Sequence, residues 1–330
     1  MRILVTGGSG YVGSVSVEAL VASGHEVAVL DDLSTGHATA DLAGARLIEG
    51  TYTDRPRVAA ILAEARTDAV LHCAARSLVG ESMRDPGRYY RENVAGGIAL
   101  LEGMRDAGVG RLVISSTAAV YGVPEATPIL ETAALRPINP YGETKRTLEA
   151  AAGWYASAYG LRVVSLRYFN VAGASERNGE LHDPETHLIP NVLTALAGGP
   201  ALQLFGEDYP TPDGTPIRDY LHVLDLAAAH LAALEATAPG DPRTDAPFVA
   251  NLGSGDGTSV KEVLAAAERV VGRPVPQTIE PRREGDPPVL VASIARAADV
   301  LGWRPVHSTI DEMIGSAWAF RNGAGRLVGA

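Results

Sequence analysis

Tyr141 and Lys145 stand four residues apart in Tyr141-Gly142-Glu143-Thr144-Lys145, directly after Asn139-Pro140. Asn-Pro is a helix start signal. On a helix, positions i and i+4 share a face, so a phenol and an ammonium reach one site. A phenol with a pKa of about 10 is a poor base at neutral pH. A nearby ammonium stabilises the phenolate and draws that pKa toward the working range. The pair therefore reads as an acid/base couple. The chain has eleven tyrosines and only two lysines, Lys145 and Lys261, among 28 basic residues. Random placement gives about 0.07 pairs at this spacing. In so arginine-rich a chain, a lysine at this position suggests that arginine, bulkier and planar, does not serve. A third group is Thr117, at the end of the apolar run Arg111–Ser115 and its continuation Ser116-Thr117. Its hydroxyl could relay a proton or orient a substrate hydroxyl. The bland alternative is a hydroxyl capping a strand end.

A second cluster precedes this one. Gly7, Gly10 and Gly13 follow the first apolar run with the spacing GxxGxxG. Missing side chains let the backbone approach a pyrophosphate, and the following helix offers free N–H groups. Asp31 ends the next apolar run, 18 residues past Gly13, with Asp32 beside it. A carboxylate there accepts ribose hydroxyls and repels a 2′-phosphate, which favours NAD over NADP. Capping of the following segment is the competing role for the two aspartates. With a nicotinamide nucleotide in place, Lys145 can also bond its ribose.

These groups need a frame. Arg2–Val5, Glu26–Leu30, Arg46–Ile48, Ala69–His72, Arg111–Ser115 and Arg162–Leu166 read as strands. Residues 12–23, 55–66, 86–107 and 139–159 read as helices. This alternation predicts an α/β fold, a doubly wound parallel Rossmann sheet. Val27-Ala28-Val29-Leu30 is apolar on both faces, as a sheet covered on both sides requires. After residue 169 the rhythm changes to proline-bearing loops, with helices near 187–197, 223–237, 259–271 and 308–321. The expected division is an NAD-binding region 1–169 and a second, smaller α/β substrate region 170–330. That boundary leaves room for part of 217–250 to return to the first region. Residues 238–247 read as an exposed loop, and 281–288 cannot be a central strand or a helix interior.

Composition sets bounds. The 330 residues are 46% hydrophobic and carry a net charge of −11. That is ample for one large or two medium cores. The acidic balance argues against nucleic acid or an anionic membrane as main partner. One cysteine, Cys73, permits no internal disulfide and suits a reducing cytoplasm. No signal peptide, membrane segment, repeat or metal site is expected.

Further segments carry a resemblance. They are Gly80-Glu81-Ser82, Tyr89-Tyr90 with Asn93, Ala119-Val120-Tyr121-Gly122, Pro140-Tyr141-Gly142 and Leu166-Arg167-Tyr168-Phe169-Asn170. They continue through Phe205-Gly206, Asp208-Tyr209-Pro210-Thr211, Asp213-Gly214-Thr215, Arg218-Asp219-Tyr220, His222-Val223, Asn251-Leu252-Gly253 and Arg282-Arg283-Glu284-Gly285-Asp286. With the glycine loop and the Tyr–Lys pair, the chain resembles extended short-chain dehydrogenases/reductases. Among these it is most similar to the UDP-glucose (UDP-galactose) 4-epimerases.

The resemblance implies a mechanism. Tyr141 removes the proton of the sugar 4-hydroxyl while hydride leaves C4 for a permanently bound NAD. The 4-keto sugar then turns over, and hydride returns to its other face. By position, Tyr11, Val12, Ser34, Thr35, Gly36, Thr51, Tyr52, Cys73, Ala74, Ala75, Asn93, Ser115, Tyr168 and Phe169 fall at family NAD positions. Asn170, Leu188, Gln203, Phe205, Arg218, Arg283 and Asp286 would hold the UDP-sugar, with Thr117, Tyr141 and Phe169 at the sugar. Two arginines suit a diphosphate. Cys73 reads as a small wall residue. A homodimer through the helices near 86–107 and 139–159 is also implied.

The chain departs from the family pattern at several positions. Thr117 replaces a usual serine, Ser77 a common lysine beside Arg76, Thr51 an aspartate, and His187 an asparagine. Leu290 stands where the family varies the room at the sugar. Dehydratases of the superfamily need an acidic pair after the strand-end threonine, and decarboxylases need a glutamate at the second of these positions. Here those positions are Ala118-Ala119. Epimerisation remains. A UDP-glucuronic acid or UDP-N-acetylhexosamine 4-epimerase is the alternative within the class, with Arg76 and the Thr117 methyl as hints. A non-catalytic NAD sensor is the alternative outside it; such a protein need not keep Tyr141 and Lys145. An alcohol dehydrogenase releasing NADH is opposed by the match across the UDP-site segments.

Overall fold

Strand β1 (Arg2–Thr6) sends Ile3 and Val5 to one face of a sheet and Leu4 to the other. All three are fully covered. Period-two alternation with both faces apolar requires helices on both sides. The computed structural model describes residues 1–282 and 286–327. In chain order β1 is followed by α1 (Tyr11–Ala22), β2 (Glu26–Asp31), β3 (Arg46–Glu49), α2 (Arg55–Glu64) and β4 (Ala69–His72). Next come the short helices α3 (Val79–Arg84) and α4 (Pro86–Tyr89), a π turn over Tyr90–Ala95, and α5 (Gly96–Asp106). Then follow β5 (Arg111–Thr117), α6 (Pro140–Tyr159) and β6 (Arg162–Tyr168).

These strands build one parallel sheet in the order β3-β2-β1-β4-β5-β6. The order reverses beside β1, so a crevice opens between the ends of β1 and β4. Open α/β sheets bind ligands in such crevices. Val17, Leu20, Leu226 and Ala233 fill the side of Ile3 and Val5. Leu62, Leu100, Met104 and Leu148 fill the side of Leu4 and Leu30. Each such valine, leucine or methionine contributes roughly 1.5–3 kcal/mol of burial.

The second half interleaves with the first. It runs β7 (Asn170–Ala172), α7 (Leu188–Leu196), β8 (Leu202–Phe205), β9 (Ile217–His222), α8 (Val223–Ala236), β10 (Phe248–Leu252) and β11 (Gly257–Ser259). It ends with α9 (Val260–Val271), β12 (Gln277–Glu280), β13 (Val289–Leu290), α10 (Ala295–Leu301) and α11 (Ile310–Leu327). β10 pairs with β6 as the seventh strand of the large sheet. Leu226, Ala229 and Ala233 of α8 join the core beside α1. The remaining strands form a small sheet around β9 and the pair β12–β8.

The helix expected over 86–107 is not one helix. Asp85 caps α4, and the π turn interrupts the path to α5. Strands β5 and β6 run two residues further than the apolar pattern suggests, to Thr117 and Tyr168. Their register opposes Ser116 to Arg167 and Thr117 to Tyr168. That pairing extends both strands despite the polar side chains. No regular element covers residues 281, 282 or 286–288. Among the described residues, no helix is long and apolar enough to cross a membrane.

Candidate active site

Helix α6 begins with Asn139, whose side chain accepts the Gly142 N–H at 2.8 Å, and with Pro140 in the first turn. Both features suit a helix start. Tyr141, Lys145, Leu148 and Ala152 are buried on it at i, i+4, i+7 and i+11. The apolar lower half of this stripe packs into the core. That packing turns the polar upper half inward. Gly142 lets the first turn sit close to the chain after β5: a Cβ there would lie 2.5 Å from the Ala119 carbonyl oxygen. This approach sets Tyr141 beside Thr117.

The chemistry of the trio is specific. Burial raises the Tyr141 pKa, and a hydrogen bond with the Thr117 side chain opposes that rise. Lys145 donates from Nζ to the Ser115 carbonyl at 2.8 Å. Burial pushes its pKa down to about 8. Sequence spacing predicts that the ammonium lowers the phenol's pKa. In the folded chain the opposing influence on Tyr141 comes from Thr117, and burial outweighs it. Burial also pushes the Cys73 thiol up to about 11, the reverse of an activated nucleophile.

Tyr141, Lys145 and Thr117 open into a cavity of about 1510 Å³ that runs along the crevice. The glycine loop forms one end. Its packing leaves no room for a side chain at Gly7 or Gly13: a Cβ on Gly13 would lie 2.0 Å from the Gly7 oxygen. Gly7 itself has φ +71°, and a Cβ there would lie 2.6 Å from the Ala74 backbone. The cradle thus presents bare backbone at the start of α1, as a pyrophosphate needs. Asp31 is buried and accepts the Ser9 and Leu33 N–H groups at 2.9 Å each. Each carboxylate oxygen keeps a lone pair for a ribose hydroxyl.

Gly10, Tyr11, Val12, Asp32, Ser34, Thr35, Gly36, Tyr52, Cys73, Ala74, Ala75 and Tyr168 line the same cavity. The structure does not bring every sequence-derived candidate to the wall. Thr51 is not a lining residue; its hydroxyl meets Thr53. Ser115 is buried behind the wall, and its hydroxyl meets His230 and Cys73. Asn93, on the π turn, is also buried behind the wall. Its carboxamide clamps both backbone groups of Arg76 and meets the Thr144 hydroxyl. It ties the cofactor wall to α6 rather than facing the cavity. Arg76 donates to Glu92 at 2.5 Å and to the Ser34 hydroxyl at 3.1 Å. It therefore belongs to the Asp31 end of the cavity, not to the end beside Tyr141.

At the far end, Phe169, Asn170, Leu188, Gln203, Phe205, Arg218, Asp286 and Leu290 line the wall. Asn170 donates to the Asp219 carbonyl. Arg218 is paired with Asp286 at 2.5 Å. The two are adjacent, so a ligand here replaces an existing ion pair. Arg283 lies outside the described residues.

Sequence reading missed the support behind α6. Glu149, one turn past Lys145, forms a buried ion pair with Arg167 at 2.6 Å. Ser116 also donates to Glu149. Arg167 reaches the Tyr121 hydroxyl at 3.0 Å, and that hydroxyl donates to Asn251 at 2.6 Å. A charged residue at i+4 from Lys145 was the available signal, but its partner comes from another element.

Comparison with known proteins agrees with this geometry. The NAD dependent epimerase/dehydratase family matches residues 3–251. A UDP-glucose 4-epimerase of Corynebacterium glutamicum is 48% identical over 326 residues, covering 98% of this chain and 97% of that one. The UDP-glucose 4-epimerase of Brucella ovis, solved in complex with NAD, superposes with TM-score 0.93 at 45% identity, covering 96% and 97% of the two chains. The enzyme of Stenotrophomonas maltophila, solved with NAD and formylated UDP-arabinopyranose, gives TM-score 0.95 at 40% identity, covering 99% of each. With a family model over residues 3–251 and relatives this similar over nearly the whole chain, the chain belongs to the UDP-glucose 4-epimerases of the NAD dependent epimerase/dehydratase family.

Proposed function

We propose that this protein interconverts UDP-glucose and UDP-galactose by transient oxidation at C4, with NAD held tightly in the crevice. The observation that carries this reading is the trio of Tyr141, Thr117 and Lys145 in one continuous cavity with the Gly7–Gly13 cradle. NAD, when bound, would supply the acceptor and donor of the C4 hydride.

The chain's own residues handle protons and position. Tyr141 takes the proton of the sugar 4-hydroxyl as it becomes a carbonyl and returns it when the hydroxyl re-forms. Thr117 donates a hydrogen bond that favours the phenolate. Lys145 spends one N–H on the Ser115 carbonyl and has two left for the ribose of the cofactor. Gly7, Gly10, Gly13, Asp31 and Asp32 hold the cofactor's phosphates and adenosine ribose. Phe169, Asn170, Leu188, Gln203, Phe205, Arg218, Arg283 and Asp286 hold the UDP-sugar.

Ala118 and Ala119 offer neither acid nor base for elimination. A uronate carboxylate would need a cation beside Tyr141 other than Lys145, which serves the cofactor ribose, and Arg76 is engaged by Glu92 and Ser34 at the other end. The neutral hexose is therefore the favoured substrate. The division at residue 169 into a cofactor part and a sugar part, with part of 217–250 returning to the first, is part of the same proposal. So is a homodimer through α5 and α6, supported by exposed Ile98 and Trp154 on those helices. A cytoplasmic location is proposed on the single cysteine.

The test is NMR of UDP-glucose with purified protein and no added cofactor. UDP-galactose should form to equilibrium, and the protein should carry nicotinamide absorbance. No turnover of either sugar would overturn the reading. Sedimentation as a monomer would remove the dimer.

A further inference from the structure

The loop between β7 and α7 carries Glu180, His182, Glu185 and His187, spaced Glu-x-His-x-x-Glu-x-His. Sequence reading expects no metal and gives His187 at most a place near the sugar. The fold argues otherwise. One ligand atom from each of the four lies within 4.8 Å of all the others. The two imidazole rings face each other with centroids 5.7 Å apart. All four residues line the wall of the cavity.

The carboxylates are held in place. One Glu180 oxygen accepts the His182 N–H at 3.1 Å. One Glu185 oxygen accepts the Thr186 and His187 backbone N–H groups at 2.7 Å each and also meets the His187 Nδ1 at 2.7 Å, a contact that a bound cation would replace. The other oxygen of each remains available. His182 Nδ1 lies 2.6 Å from Glu180 but outside hydrogen-bond geometry, and that covered nitrogen has no hydrogen-bond partner. Among the described residues, Glu180 and Glu185 form ion pairs only with these histidines. Ligation takes the imidazoles in their neutral form; with two carboxylates the ligand set then sums to −2, which one divalent ion cancels.

We propose that this quartet binds one divalent transition-metal ion of the zinc type. Two imidazole nitrogens and two carboxylate oxygens suit zinc, whereas magnesium and calcium prefer oxygen alone. Four protein ligands make a closed, structural site. Binding requires these donor atoms, within 4.8 Å of one another, to close to about 2.0–2.2 Å from the ion. The ion pins the 180–187 loop and thereby steadies Leu188 at the start of α7, on the substrate wall. The alternative is a pair of protonated histidines neutralising the two glutamates.

The test uses full-length protein without a histidine tag, stripped with chelator and titrated with zinc chloride by calorimetry. One zinc per chain and a raised melting temperature are expected, with millimolar magnesium failing to displace it. The double variant His182→Ala, His187→Ala should bind zinc at least about 100-fold more weakly, the upper end of what losing an outer-shell partner alone costs. If that variant does not fold, Glu185→Gln keeps the shape, removes one charge and should also weaken binding. A stoichiometry far below one overturns the site, as does unchanged affinity in the variants. These readouts do not depend on epimerase activity.

Discussion

Lys145 Nζ donates to the Ser115 carbonyl at 2.8 Å, two residues before Thr117 on the same strand. This bond fixes the ammonium at the strand end. A planar guanidinium cannot take the same place without moving β5 or Tyr141. Lys145→Arg and Lys145→Met should both lower turnover by about 10²-fold or more. Steady-state kinetics check this. Bound nicotinamide should also fall, because the ribose contact is lost.

The same lysine links activity and stability to pH with opposite signs. Burial places its pKa at about 8, against an ordinary value of 10.5. Activity that needs the ammonium falls as pH rises through about 8. Between about 8 and 10.5 the unfolded chain binds more protons than the folded one. Stability contributed by this residue therefore rises with pH in that window. Lys145→Met should be more stable than the parent below pH 8. Its advantage should shrink toward pH 10.5 in thermal unfolding scans.

Tyr141→Phe removes the proton acceptor and leaves the ring. Turnover should drop by about 10²–10⁴-fold with little change in UDP affinity. Thr117→Ser keeps the hydroxyl and should stay active. Thr117→Val should lose activity and shift the acid limb of the pH profile upward, since Thr117 opposes the burial-driven rise of the Tyr141 pKa.

Breaking the Glu149–Arg167 pair should be costly. Both side chains are at least nine-tenths covered. Glu149→Ala leaves a buried, unpaired guanidinium, with an expected loss of about 3–5 kcal/mol by urea unfolding. Replacing both by apolar residues of similar volume should recover most of that stability. Turnover should not recover to the same degree, because Glu149 also anchors α6 to Ser116.

Acid should unfold the protein through three covered histidines. Burial lowers His72 and His230 to about 3 and His222 to about 4. Below pH of about 6.5 the unfolded chain takes up protons that the folded one refuses. Stability should fall by up to about 1.4 kcal/mol per pH unit for each histidine until these values are reached. His230→Asn should flatten that slope in unfolding curves measured between pH 7 and pH 4, a range chosen at roughly the titration span.

Local spacing was enough for much of this protein. The glycine loop, Asp31 and the Tyr141–Lys145 pair are legible because turns and helices join residues close in sequence. The parallel sheet is legible because apolar runs alternate with helical ones. What lay beyond the sequence depends on residues far apart in it. β10 returns to pair with β6, and its Phe248, Ala250 and Leu252 complete the core on the side of Ile3 and Val5. The break at the π turn follows no simple period, yet it sets Asn93 between Arg76 and Thr144. Arg76 could be placed only once Glu92 and Ser34 were seen beside it. Glu149 found Arg167, and Arg218 found Asp286, through strand register and loop return, which no helical or strand period encodes. By itself the sequence determined the reactive groups; only the tertiary structure decided their partners, because desolvation and pairing depend on neighbours in space.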